Sequence, residues 1–493
     1  MSSDIIIKKK NEVYLKLECE PHIIYELAPY FEFEIPSAKF MKRGRYQNWD
    51  GKIKMLSTHT KEIYVGLLDK LIEKIKLHHY TYEFEDSKYY GLPYEENEMI
   101  SYEGVKSYMK SILPSKYEPR NYQVDAVYQA LKNNRKLLVS PTSSGKTLIS
   151  YSITRYYVDK GYRVLIVCPT TSLIEQGYKD FIDYGWECED IVHKIYSGRA
   201  KHSDSPVVIS TYQSIYDLDK SYFDAFDVVI IDECHLSTAK SIQGILHKMC
   251  DAKYRFGLTG TTQPEKVHIW TLEGLFGPCY KVTRTDELME KGSIAKLQIK
   301  ILLLQHNPKT FETYEDEIQY IISHEKRNNL IKNLTLSLNG NTLILFSRVE
   351  AHGKILYDLI NNSVNGDRKV FFVYGGVDTE ERERIREITE SEDNAIIVAS
   401  YGVFSTGISI RNLHNLIFAS PSKSKIRNLQ SIGRILRKSD KKNKAVLYDI
   451  ADDITHNSRK NYTLNHLIER VKIYSEENFI YEIHKIDFKT NDK

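Results

Sequence analysis

The stretch Ser140-Pro-Thr-Ser-Ser-Gly-Lys-Thr147 constrains the fold more than any other. It follows a short apolar run, Leu137-Leu-Val139, and precedes a helical pattern that begins at Leu148. Strand, loop of small residues, Gly-Lys-Thr and helix is the layout of a phosphate-binding loop. In such a loop backbone N–H groups and the positive end of the following helix face an anion. On this reading Pro141, Thr142, Ser143, Ser144 and Gly145 wrap the phosphates of a nucleotide. Lys146 reaches the β- and γ-phosphates, and Thr147 offers its hydroxyl to Mg²⁺. Ser140 stands where the simplest pattern has its first glycine, so the loop needs support from the rest of the chain.

That support is a regular alternation of β and α patterns. Arg163-Val-Leu-Ile-Val-Cys168, Pro206-Val-Val-Ile-Ser-Thr211, Asp227-Val-Val-Ile-Ile-Asp-Glu-Cys-His235 and Arg255-Phe-Gly-Leu-Thr-Gly-Thr261 read as buried strands between helices. Apolar β-branched runs of this kind predict a parallel sheet covered on both faces. Ligands bind such sheets at the carboxyl ends of the strands, where these runs end in hydroxyls or acids. Asp232-Glu-Cys-His235 is the sharpest of these ends. Adjacent carboxylates closing an apolar strand call for a cation nearby. Asp232 is suited to hold Mg²⁺, and Glu233 to orient and deprotonate an attacking water. His235 could couple the pair to Thr259 and Thr261. Upstream of the loop, Arg120-Asn-Tyr-Gln123 opens a helical pattern, and a glutamine amide presents the donor and acceptor that suit an adenine edge.

The β/α logic recurs downstream in Thr342-Leu-Ile-Leu-Phe346, Val370-Phe-Phe-Val-Tyr374, Ala395-Ile-Ile-Val-Ala399 and Leu416-Ile-Phe-Ala419. A second parallel sheet is expected. Gln430-Ser-Ile-Gly-Arg-Ile-Leu-Arg437 then places Arg434 and Arg437 three apart, on one face of a predicted helix. Two guanidinium groups on one face can clamp a γ-phosphate and stabilise its charge in a transition state.

At 493 residues, the chain predicts several domains. Residues 1–110 read as a small N-terminal α/β domain with a linker, 111–290 as the nucleotide-binding lobe, 291–455 as the second lobe, and 456–493 as its helical C-terminal extension. Within that extension Ile480-Tyr-Glu-Ile483 has the pattern of a final strand. In the N-terminal part, Lys42, Arg43, Arg45, Lys52 and Lys54 accompany Tyr46 and Trp49 in a predicted hairpin turning at Asp50-Gly51. Cations and rings in this mixture suit phosphates and bases. The same residues equally suit a charged edge hairpin with Trp49 in the core. A net charge of only +3 confines any polyanion surface to a local patch. The 6 cysteines include no C-x-x-C pair, which argues against zinc or disulfide frameworks and for a reducing compartment. No run has the length of a membrane span, and Lys8-Lys-Lys10 stands where a signal peptide needs an apolar core.

Motif by motif, residues 118–455 resemble the superfamily 2 helicases of the DExH type. Arg120–Gln123 resembles their adenine-reading motif, Ser140–Thr147 motif I, and Pro169–Leu173 motif Ia. Ser210–Ser214 is similar to motif Ib, Asp232–His235 to motif II, and Leu258–Thr261 to motif III. Thr406-Gly407 is similar to motif V, which bridges nucleotide and nucleic acid. Gln430 and Gly433 complete the Q-x-x-G-R-x-x-R of motif VI. Ser409 departs from the aspartate of many relatives. Arg45-Tyr-Gln-Asn-Trp-Asp-Gly51 and the run from Val398 to Ser409 resemble the UvsW-type helicases of T4-like bacteriophages in particular.

The resemblance implies two tandem RecA-like lobes and an ATP- and Mg²⁺-dependent DNA helicase. Its implied substrates are forks, Holliday junctions and R-loops in phage replication, recombination and repair. It implies that Thr170, Thr171, Thr211 and Thr406 meet nucleic acid, that Gln430 takes part in coupling, and that the basic hairpin does bind DNA. A monomer in the host bacterial cytoplasm, acting on branched or single-stranded DNA and on RNA–DNA hybrids, is the expectation. A double-strand translocase without strand separation, or an RNA helicase, shares the same motifs.

Overall fold

The structure is a computed structural model that describes residues 3–34, 50–85, 95–196, 198–262, 265–364, 366, 368–406, 410–438 and 442–489. It divides into two compact units, one of Met1–Ser140 with Gly145–Val282, the other of Pro141–Ser144 with Thr283–Lys493.

The first unit begins with six short strands: β1 (Ile5–Lys9), β2 (Tyr14–Cys19), β3 (Glu32–Glu34), β4 (Lys52–Lys54), β5 (Glu62–Tyr64) and β6 (Tyr82–Phe84). Four of them make a mixed sheet of order β5-β2-β1-β6, in which only β1 and β6 run parallel. Alternation along β1 and β2 sends Ile5, Ile7, Leu15 and Leu17 inward, against Ile24, Leu71 and Ile75 of the covering helices. β3 and β4 pair antiparallel, Glu32 opposite Lys54 and Glu34 opposite Lys52. The described partner of Lys52–Lys54 is thus the strand after Phe31, and the first arm of the expected hairpin lies outside the described residues. Gly51, at φ +83°, leads the chain into β4, where Asp50 accepts a hydrogen bond from the Lys52 N–H. Lys42, Arg43, Arg45 and Trp49 lie outside the described residues.

The seven remaining strands of this unit are β7 (Arg135–Val139), β8 (Val164–Cys168), β9 (Val192–Ile195), β10 (Val207–Thr211), β11 (Val228–Asp232), β12 (Tyr254–Thr259) and β13 (Cys279–Lys281). They form one sheet of order β13-β7-β12-β11-β8-β10-β9, parallel throughout. Every residue of β8 and β10 is buried, because helices cover both faces.

The small N-terminal fold docks on this sheet domain. The Tyr14 and Tyr64 rings stack at 5.2 Å, and their hydroxyls lie 3.4 and 3.2 Å from His247 Nε2 on the helix Lys240–Lys248. Glu12 pairs with the buried Arg135 guanidinium at 2.8 Å. Phe33 meets Trp270 of the helix Lys266–Phe276 edge to face. At Gly66 a Cβ would sit 2.0 Å from the Glu273 carbonyl oxygen, so only glycine lets these backbones meet.

The second unit holds β14 (Lys296–Gln305), β15 (Thr342–Phe346), β16 (Val370–Val373), β17 (Ile396–Ser400), β18 (Asn415–Phe418), β19 (Lys444–Asp453) and β20 (Tyr481–Asp487). Their order is β16-β17-β15-β18-β19-β14-β20, again all parallel. β14 and β19 go unassigned in the sequence reading, yet at ten residues each they are the longest ladder here. The C-terminal extension is more than helical. After the helix Tyr462–Glu476, β20 completes the sheet along β14. Among the described residues, no helix is long and apolar enough to cross a membrane.

One buried histidine in this unit carries a pH signature. His352 is fully buried, with Nδ1 3.0 Å from Ser420 Oγ, which also accepts the Ser347 N–H. Burial, reinforced by Arg327, pushes its pKa down to about 3. The unfolded chain therefore takes up a proton near pH 6.5 that the folded chain refuses, and stability falls as pH drops below that value.

Two outcomes are expected. Gly66→Ala destabilises the first unit by about 1–3 kcal/mol and raises hydrogen exchange in the helix Lys266–Phe276; exchange there equal to wild type would contradict the close contact. In urea unfolding between pH 6 and 5, wild type loses about 1.4 kcal/mol per pH unit more than His352→Asn; parallel slopes would mean that His352 is protonated in the fold.

Candidate active site

β7 delivers the chain into the loop. Ser140 is fully buried, and its N–H donates to the Thr259 carbonyl at 2.8 Å, which ties the loop to the end of β12. Its φ is not positive, so serine serves where the simplest pattern has glycine. Within the loop the Ser144 hydroxyl and N–H both donate to the Pro141 carbonyl, at 2.6 and 3.2 Å. Ser143 takes φ +68° and Gly145 φ +85°. At 145 that φ favours glycine, and a Cβ there would displace the Gln123 amide, whose Nε2 would lie 2.3 Å away. The helix Lys146–Asp159 then starts without a side-chain cap, which leaves its first N–H groups to an incoming anion.

β11 delivers the acids opposite. Lys146 Nζ lies 3.1 Å from Glu233 Oε1. Glu233 adopts the left-handed conformation, φ 50° and ψ 47°, strained for a non-glycine residue. Its N–H donates to Asp232 Oδ1 at 2.9 Å. Burial, and then the charge of Glu233, push the Asp232 carboxyl up to about 6. Burial alone would also raise Glu233, but Lys146 and His235 outweigh it and hold that carboxyl well below the usual range.

His235 is buried with Nδ1 3.0 Å from Thr259 Oγ1 and 3.3 Å from Glu233 Oε2. The Thr259 hydroxyl donates to the Thr261 carbonyl at 2.8 Å. A hydroxyl has one proton, so the imidazole must be the donor, with its proton on Nδ1. Lys146, Glu233, His235, Thr259 and Thr261 thus form one continuous chain across the ends of β7, β11 and β12.

The other predicted residues divide by strand. Gln123 is buried; its Oε1 accepts the Arg120 N–H at 2.9 Å, closing the start of the helix Asn121–Asn133, and its amide leans on Gly145. Arg120 is exposed and donates to the Tyr122 hydroxyl. That Gln123 touches the phosphate loop is a tertiary contact with no signal in local sequence. Thr170 follows β8 and caps the helix Thr171–Asp183, accepting the Leu173 N–H at 3.4 Å, while Thr171 is exposed. Thr211 ends β10, buried, its hydroxyl 2.8 Å from Ser214 Oγ. These threonines stand on neighbouring strands of the same rim as the acids. Lys52, on β4, pairs with Glu32 at 3.1 Å.

In the second unit, the helix Lys425–Ile435 carries Gln430 and Arg434, both half-buried, and the Arg434 guanidinium lies 5.6 Å from the Phe404 ring centre. The helix ends at Ile435, so Arg437 stands beyond it and not on a shared helical face. Thr406 ends the helix Tyr401–Thr406, and Gly407 and Ser409 lie outside the described residues.

The chain is similar to known proteins over most of its length. Residues 4–85 match the family described as DNA helicase UvsW, N-terminal, 116–264 match Type III restriction enzyme, res subunit, and 325–439 match Helicase conserved C-terminal domain. The ATP-dependent DNA helicase uvsW of Enterobacteria phage T4 is 35% identical over 506 residues, covering 97% of this chain and 98% of its own. The DNA 3'-5' translocase XPB2 of Sulfurisphaera tokodaii is 26% identical, covering 69% of this chain and 82% of its own. Among solved structures, the crystal structure of T4 UvsW superposes with a TM-score of 0.51 at 32% identity, covering 98% of this chain and 99% of that one. A HsdR subunit fragment from Vibrio vulnificus, at 19% identity and a TM-score of 0.58, covers 80% of this chain and 72% of its own and shares the fold. With that identity running along nearly the whole chain, and the UvsW N-terminal family matched at residues 4–85, the chain belongs to the UvsW family of ATP-dependent DNA helicases.

Proposed function

We propose that this helicase remodels branched DNA, turning over ATP at the rim where Lys146 faces Glu233. The observation that carries the reading is the chain from Lys146 through Glu233 and His235 to Thr259, which joins a phosphate loop to a second carboxylate-bearing strand end. Lys146 offsets phosphate charge. Glu233, kept ionised by Lys146 and His235, takes the proton of the attacking water. Arg434 and Arg437 supply further positive charge to the γ-phosphate. His235, Thr259, Thr261 and Gln430 relay the state of the nucleotide.

The acids fit a divalent cation. Asp232 is half-buried beside a second carboxylate, and the two together leave negative charge that Mg²⁺ would offset. Thr147 and Asp232 would hold the ion, which supplies electrostatic stabilisation to the transferring phosphoryl group.

Thr170, Thr171, Thr211 and Thr406 contact the nucleic-acid backbone, and the basic segment at Lys42, Arg43, Arg45, Trp49 and Lys52 engages the branch. The four-part division into 1–110, 111–290, 291–455 and 456–493, a monomeric state and action in a bacterial host's cytoplasm complete the reading. RNA enters as one strand of an RNA–DNA hybrid. A translocase that does not separate strands is the second reading, favoured by the likeness to a protein named as a DNA 3'-5' translocase.

Steady-state ATP hydrolysis with Mg²⁺ tests this against no nucleic acid, single strand, blunt duplex, a model fork and RNA. The fork is expected to stimulate most; equal stimulation by duplex, without strand displacement, would favour the translocase. Lys146→Ala and Glu233→Gln should each cut turnover by roughly a hundredfold or more while the fork still binds; loss of fork binding in the folded variants would contradict the division of roles. Gly145→Ala should weaken ATP binding about tenfold or more, because alanine is strained at φ +85° and its Cβ displaces the Gln123 amide; unaltered ATP affinity would show that the loop adapts.

A further inference from the structure

One buried charge in the second unit has no place in the mechanism above. Lys442 is 2% exposed. Its Nζ donates to three backbone carbonyls, those of Arg411 at 2.9 Å, Leu413 at 2.8 Å and Ile435 at 2.7 Å. An ammonium has three donors, and here each has an acceptor. Burying it is tolerable only while all three bonds hold. Burial and the neighbouring Arg437 press its pKa down to about 7, so the three carbonyl dipoles are what favour the proton there.

The acceptors come from two distant stretches. Arg411 and Leu413 follow the Thr406-Gly407 segment. Ile435 is the last residue of the helix that bears Arg434. In a continuing helix, the Ile435 carbonyl would accept an N–H one turn later. Lys442 occupies it instead, and the chain leaves the helix at Leu436. That departure sets where Arg437 stands.

We infer that Lys442 is a positioning residue for ATP hydrolysis: by holding the carbonyls of Arg411, Leu413 and Ile435 on one ammonium, it keeps Arg437 and the stretch Arg411–Leu413 in a fixed mutual register. It acts through the backbone of residues that neighbour in sequence those read as meeting the γ-phosphate and the nucleic acid. The inference rests on the reading in which Arg434 and Arg437 serve the γ-phosphate. Without the tie, ATP still binds at the phosphate loop, and what is lost is alignment in the transition state and its response to DNA.

The test uses full-length Lys442→Met and Lys442→Gln, close to lysine in size, with Lys442→Arg as the conservative variant and Arg437→Ala as control. ATP sites are first counted with a non-hydrolysable analogue, so that rates refer to folded molecules. In whichever of the Met and Gln variants is isolated folded, DNA-stimulated kcat is expected to fall about ten- to a hundredfold, with KM for ATP within about threefold of wild type. Lys442→Arg, which keeps the charge and several donors, should recover part of kcat. A purely structural lysine would lower the unfolding temperature and the number of active sites but leave kcat per site unchanged, and that result overturns the inference. If Arg437→Ala itself turns over normally, the underlying reading of the arginines fails; if Arg437→Ala is inactive and the Lys442 variants are not, only the positioning role falls.

Discussion

Two adjacent carboxylates at the half-buried end of one strand are the constraint around which the first unit is arranged. Asp232 and Glu233 are adjacent, and water cannot solvate them freely. Glu233 therefore draws partners from two sides, while Asp232 accepts the Glu233 N–H. Lys146 arrives from the end of β7, and His235 turns back through Thr259 to the end of β12. The left-handed backbone at Glu233 accompanies the turn of its carboxylate toward Lys146. A parallel sheet makes this possible, since it presents all strand ends at one rim.

The N-terminal domain is tied to the elements that leave that rim. The helix Lys240–Lys248 follows the turn after Asp232–His235, and His247 upon it meets Tyr14 and Tyr64. The helix Lys266–Phe276 follows Thr259–Thr261, and there Trp270 and the backbone at Glu273 meet Phe33 and Gly66. A domain read as gripping branched DNA is thus packed on the helices directly downstream of the catalytic strand ends.

The second unit repeats the parallel plan but relies on buried polar ties. Arg327 and His306 both bond Asp452 in the interior, Arg470 joins Asp449 to the Ser422 carbonyl, and His352 meets Ser420. Several of these end on the stretch between β18 and the helix Lys425–Ile435. Lys442 closes the far end of that helix. The arginine-bearing helix is therefore held at both ends by groups that lose heavily if left unpaired.

The sequence by itself determined the phosphate loop, the acid pair and the buried strands around them. Those signals are local: β-branched runs, a glycine before lysine, carboxylates closing an apolar stretch. It also marked Ile480–Ile483 as a strand. Only the tertiary structure decided which strands are neighbours, and so which side chains meet. It set β7 beside β12, leaned Gln123 on Gly145, and paired Lys52 with Glu32 across a long insertion. It ended the arginine helix before Arg437. It also brought β14 and β19 together as the longest ladder of the second unit, although neither stands out along the chain. Such contacts join residues far apart in sequence, and their strength comes from exclusion of water and close packing, which no local pattern encodes.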